Sequence, residues 1–127
     1  MVAILLLLLA SVGCARSEDL RTDVVFRLTG GYAGYDERVD ISKSGEATIT
    51  KRNTSPRKFR LSKSDLSRLA AGLHRSGLFT RNESFRGEGA DHLEYTIQYS
   101  GAAVSAWEDR VPPKLKPVVD QLKEMLR

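Results

Sequence analysis

The chain has 127 residues, 41% hydrophobic and 28% charged, with a formal net charge of +4. That balance excludes a membrane bundle and a disordered chain, and it fits one domain behind a leader. The single cysteine, Cys14, excludes an intramolecular disulfide, so the core alone has to hold the fold.

Val2 opens a nearly pure apolar run that includes five leucines and ends at Ala10. The run is too short to cross a bilayer as a helix, which needs about 20 residues. It has the length of a signal-peptide core. Ser11, Val12 and Gly13 then stand before Cys14, small residues ahead of a thiol, as in a bacterial lipobox. The expectation is a lipoprotein-type signal peptide over 1–13, cleaved before Cys14, with the lipid carried on the Cys14 thiol. A plain cleaved signal or a short core helix is the alternative. Residues 14–22 read as a polar tether, and residues 23–127 as the folded domain. Such a chain belongs to the cell envelope and meets the membrane through its lipid.

Val24, Phe26 and Leu28 alternate along the first strand. Gly30-Gly31-Tyr32-Ala33-Gly34-Tyr35 follows, with three glycines in five positions and two tyrosines. Glycine allows positive φ and close backbone approach. The stretch is therefore a turn between strands, a loop that presents Tyr32 and Tyr35 to a partner, or both. Val39 and Ile41 alternate next. A turn at Ser42-Lys43-Ser44-Gly45 precedes a third strand through Ala47 and Ile49.

Lys51, Arg52, Arg57, Lys58 and Arg60 then fall in ten residues without an acid. Phe59 and Leu61 fit a short strand there. Basic edges block strand-to-strand pairing. A nucleic-acid surface would interleave aromatic residues for stacking, and only Phe59 is present, so nucleic acid is not expected.

Ser62 caps a helix over 62–76, with Asp65 completing a capping box. Leu66, Leu69, Ala70 and Leu73 form its apolar face, and Gly77 ends it. Residues 79–92 read as a long polar, mobile segment. Leu93, Tyr95, Ile97 and Tyr99 alternate in the next strand, Ser100-Gly101 turns the chain, and the return strand ends at Trp107. Trp107 is expected to anchor the last helix, and Glu108-Asp109-Arg110 forms a charged exit. Pro117 is tolerated only in a first helical turn, which places the start of the final helix near Pro113 or Lys114. The order β-β-β-(β)-α-β-β-α predicts an α+β fold, an antiparallel sheet with two helices packed on one face.

The catalytic inventory is thin. His74 lies beside a helix's apolar face, and His92 follows Asp91 with Glu88 and Glu94 nearby. One histidine among local carboxylates does not make a zinc site. The glycines are followed by Asp36 and Glu37, not by the Gly-Lys-Ser/Thr of a phosphate cradle. The domain offers no thiol nucleophile. The expectation is a chain that is not an enzyme and needs no cofactor or metal. Strand ends and loops on a rigid sheet then supply its binding residues.

One resemblance spans about residues 23–127, the whole domain. Phe26-Arg27-Leu28 runs into Gly30-Gly31-Tyr32-Ala33-Gly34. A leucine-spaced helix ends in Gly77-Leu78-Phe79, and Asp91 leads to Tyr95-x-Ile97. The chain closes on Val111-Pro112-x-x-Leu115-x-Pro117-Val118-Val119-x-x-Leu122. This pattern resembles the emfourin family, small bacterial proteins named for inhibiting thermolysin-like metallopeptidases. The resemblance implies a proteinaceous inhibitor whose partner is such an enzyme. Gly30, Gly31, Tyr32, Ala33, Gly34 and Tyr35 would face the partner together with Glu108, Asp109 and Arg110. Tyr32 would supply an apolar body for the cleft, and Glu108 or Asp109 would approach the zinc ion. The alternative is a non-catalytic envelope module with another target, its basic stretch from Lys51 to Lys63 meeting anionic lipid or polysaccharide.

Overall fold

Alternation decides which face of each strand is covered. In the computed structural model, which describes residues 18–127, β1 (Val24–Gly30) buries Val24, Phe26 and Leu28. The same parity buries Val39 and Ile41 in β2 (Tyr35–Ile41) and Ala47 and Ile49 in β3 (Glu46–Lys51). Tyr95, Ile97 and Tyr99 are buried in β6 (Leu93–Tyr99), and Ala102, Val104 and Ala106 in β7 (Ala102–Trp107). β4 (Arg57–Arg60) and β5 (Glu83–Phe85) complete one seven-stranded sheet in the order β4-β3-β2-β1-β6-β7-β5. All neighbours are antiparallel except β5 and β7. β1 is therefore paired on both sides, and it carries the centre of the core.

Helix α1 (Lys63–Ser76) begins where the sequence places it. The Ser62 hydroxyl accepts from the Asp65 N–H at 3.1 Å, which satisfies one of the donors left free in a first turn. Gly77 takes φ 66° at the other end, the left-handed cap that lets its N–H reach the His74 carbonyl. Helix α2 (Lys116–Met125) starts two or three residues later than Pro113 or Lys114. The Leu115 and Lys116 N–H groups both donate to the Pro112 carbonyl, so a separate turn precedes the helix. Gln121 of α2 donates to the Asp65 carbonyl of α1 at 2.8 Å, which ties the helices together. Leu69 and Leu73 of α1 join Val118 and Leu122 of α2 in the same buried cluster as Phe26 and Ile97. Each such side chain contributes about 1.5–3 kcal/mol by leaving water. The fold is α+β, as the order of elements implied.

Three findings differ from the sequence reading. The polar segment 79–92 contains β5, whose three residues pair in parallel with Val104, Ser105 and Ala106. Trp107 does not anchor α2. Ala106 occupies the helix-side position, so parity turns Trp107 to the open face of the sheet. The last residues of the tether also lie against the domain. Leu20 is buried, Glu18 bonds His74 Nδ1 at 2.8 Å, and the Arg21 N–H donates to the Tyr99 hydroxyl. The expected leader and Cys14 fall outside the described residues. No helix among the described residues is long and apolar enough to cross a membrane.

Candidate functional site

The glycine stretch forms the β1–β2 loop. Gly30 and Tyr35 close it as strand partners, and the Gly34 N–H donates to the Gly31 carbonyl at 3.1 Å. Gly30 stands between two strands, opposite Tyr35 on one side and Leu93 on the other. Its φ is +93°, and a Cβ there would sit 2.5 Å from the His92 carbonyl oxygen. Only glycine fits such an approach. The base of the loop is thus pressed onto β6. At its tip Tyr32 is 93% exposed, and Tyr35 beside it is 45% exposed. Both are anomalous for large aromatic side chains in a domain that buries Phe26, Tyr95 and Tyr99.

Glu108, Asp109 and Arg110 lie at the same end of the sheet, two strands away, or about 10 Å at ordinary strand spacing. The link between the two pieces is Leu93. It pairs with Gly30 on one side, and its carbonyl accepts from the Glu108 N–H at 3.0 Å on the other. A tight turn follows, closed by the Arg110 N–H on the Trp107 carbonyl at 2.8 Å. Glu108, Asp109 and Arg110 are all exposed on that turn. The Arg110 guanidinium lies over the backbone of Gly87, where a Cβ would meet it at 3.1 Å.

Three side chains missing from the sequence-based site belong to this surface. The His92 ring stacks on Trp107 with centroids 4.0 Å apart and planes within 5°, and His92 Nδ1 is 4.0 Å from an Asp109 carboxylate oxygen. This stack fixes the start of β6 against the end of β7. Arg52, in the β3–β4 turn, has a guanidinium nitrogen 3.7 Å from where a Gly34 Cβ would be. The signal for the stack was the strand parity of Trp107. Arg52 gave no signal, because its approach to Gly34 depends on the twist and register of two hairpins.

Comparison with protein-family models and with curated proteins finds no match.

Among the described residues, no group of three or more His, Cys, Asp and Glu side chains gathers as a metal cradle. His74, the other histidine, sits between the Glu18 carboxylate and the Tyr99 hydroxyl, at 2.8 and 2.7 Å, and joins the tether to α1 and β6. The open face beside the loop carries paired charges. Asp40 accepts two hydrogen bonds from Arg38 at 2.8 Å, and these raise the guanidinium pKa above its ordinary value. The basic stretch is partly spent inside the fold. Lys51 donates to the Leu126 carbonyl and Arg57 to the Met125 carbonyl, two cations at the C-terminus of α2. What the site can do is present an apolar tip and two carboxylates from a braced sheet end.

Proposed function

We propose that the chain is an emfourin-like inhibitor of a thermolysin-like metallopeptidase, acting through residues 30–35 with Glu108 and Asp109. The observation that carries this reading is Tyr32, almost fully exposed at the tip of a loop whose base is pressed against the His92 carbonyl. A cleft-filling inhibitor needs a segment that binds without reorganising, because ordering a loop on binding weakens affinity. Aromatic anchors surrounded by polar groups carry most of the energy at such interfaces. Tyr32 fills an apolar subsite of the enzyme in this reading. The exposed carboxylate of Glu108 or Asp109 reaches the zinc ion, a ligand type that zinc accepts.

The test is a titration of the full chain against a thermolysin-like peptidase. The expected result is a stoichiometric loss of peptidase activity. Tyr32→Ala together with Asp109→Ala is expected to weaken inhibition by about 2 kcal/mol or more, roughly thirtyfold in Ki. Undiminished peptidase activity at micromolar excess of the chain would sink the reading, and so would a double variant that inhibits as well as the parent.

The same reading makes the chain an exported, lipid-anchored protein of the cell envelope, joined to the membrane at Cys14. Mass spectrometry of the processed N-terminus is expected to find Cys14 as the first residue, carrying acyl chains. An unmodified Cys14 thiol in membrane-fraction protein refutes the anchor and leaves the inhibitor reading standing.

A further inference from the structure

A second surface lies at the free edge of the sheet, and it does not depend on the inhibitor reading. β4 is an outermost strand, and among the described residues no strand pairs with its outer side. The Leu61 N–H donates to the Gly45 carbonyl at 2.9 Å. In an antiparallel ladder, hydrogen-bonded pairs alternate with non-bonded ones. Phe59 opposite Ala47 and Arg57 opposite Ile49 therefore also point their backbone groups at β3. Lys58 and Arg60 point theirs outward, leaving two N–H and two C=O groups in line along the edge.

Side-chain parity adds to this. Phe59 and Leu61 face the helices, where they line an open groove of about 360 Å³ together with Asp65, Arg68, Gln121 and Met125. An added strand would therefore drop every second side chain over the groove and set the others beside Lys58 and Arg60.

Charge selects among possible strands. The acids near this edge are already engaged: Asp65 with Arg68 at 3.6 Å, Glu124 with Arg127 at 3.4 Å, and Glu46 with Arg60 at 2.9 Å. Arg57 is held by the Met125 carbonyl at the end of α2 and lies over the Phe59 ring at 5.9 Å, but it has no carboxylate partner, and Lys58 has no ion pair among the described residues. The edge thus keeps uncompensated positive charge. A second copy of β4 would bring Lys58 and Arg60 against their own kind, so self-pairing is opposed. An acidic strand is attracted.

We propose that β4 binds an extended acidic peptide as an eighth strand, with alternate apolar side chains seated in the groove between β4 and the two helices. Main-chain pairing supplies affinity in this mode, and the groove and the cations supply selectivity.

The probe is a short dye-labelled peptide alternating glutamate with valine, titrated into the full chain and read by fluorescence anisotropy. Saturable binding is expected, with the amide signals of Lys58 and Arg60 moving in nuclear magnetic resonance spectra. Raising the salt is expected to weaken it, because exposed charges are screened. Methylating the peptide's backbone nitrogens, or the pair Lys58→Glu and Arg60→Glu, is expected to weaken it by about tenfold or more, the loss of roughly 1.4 kcal/mol. The methylated peptide needs no variant protein, so the outcome does not rest on whether the double variant folds. The proposal is overturned if no saturation occurs, or if the methylated peptide or a lysine–valine peptide binds as tightly. Occupation of the edge by a second copy that the peptide cannot displace overturns it too, as does binding to phosphatidylglycerol vesicles alone.

Discussion

Gly30→Ala is expected to destabilise the domain by about 2–4 kcal/mol and to abolish the proposed inhibition. Two effects add at this position. The φ of +93° is one that residues with a Cβ rarely adopt. The new Cβ would also meet the His92 carbonyl oxygen at 2.5 Å. That atom belongs to the backbone at the start of β6, so it cannot swing aside as a flexible side chain would. Either β1 or β6 has to shift. The shift passes to Leu93, which pairs with Gly30 and also receives the Glu108 N–H. Both halves of the candidate site then move. Gly101→Ala separates the two effects within the same protein. Gly101 has φ +79°, yet its Cβ would meet nothing within 4 Å. It carries the conformational strain without the collision, and is expected to cost about 1 kcal/mol. Urea unfolding of both variants checks the difference. Equal losses at the two positions would mean that the approach to His92 does not constrain the loop.

Most of the fold was legible because it is built from local signals. Ser62 and Gly77 mark the ends of α1 by chemistry that acts within one helical turn. Ser100 and Gly101 both take positive φ, the conformation that a two-residue hairpin turn requires. The unread parts are those set by distant partners. Glu83-Ser84-Phe85 is too short to show a period. It becomes a strand only because β7, about twenty residues later, offers an open edge. The start of α2 at Lys116, not near Pro113 or Lys114, is the local exception: the Pro112 carbonyl closes a preliminary turn.

The site divides in the same way. A loop with three glycines and two tyrosines is conspicuous in any sequence. The turn at 108–110 is joined to it through the resemblance, whereas chain separation hides the approach of His92 and Arg52. Trp107 was misread for a different reason. The largest aromatic residue invites a place in the core, but parity in β7 gives the inward positions to Ala102, Val104 and Ala106. Small side chains suffice there, and the indole stacks on His92 at the open face instead. The pattern that fixes Trp107 was therefore present in its neighbours, not in the residue itself.

Phe26→Ala is expected to remove about 3–5 kcal/mol of stability, the usual range for emptying a fully buried aromatic site. Phe26 is wholly buried, stands opposite Val39 and Ile97 on the two neighbouring strands, and stacks on Tyr95 with ring centroids 6.0 Å apart. Domains of this size are stable by about 5–15 kcal/mol, so the variant sits close to unfolding at room temperature. Phe59→Ala is the comparison, because Phe59 is half-buried on the edge strand and faces an open groove. Its loss is expected to be about 1–2 kcal/mol. Equal destabilisation by the two would place the centre of the core at β4 and contradict the topology. The consequence for function follows from where β1 sits. Paired on both sides, it cannot melt without releasing β2 and β6, and the loop at residues 30–35 is the continuation of β1 itself. Phe26→Ala therefore leaves the loop's chemistry untouched while lowering the temperature at which the loop exists. Under the proposed inhibitor reading, the variant is expected to inhibit with the parent's Ki below its unfolding midpoint, and not at all above it. A raised Ki in the folded variant would show instead that packing under β1 sets the loop's geometry as well as its survival.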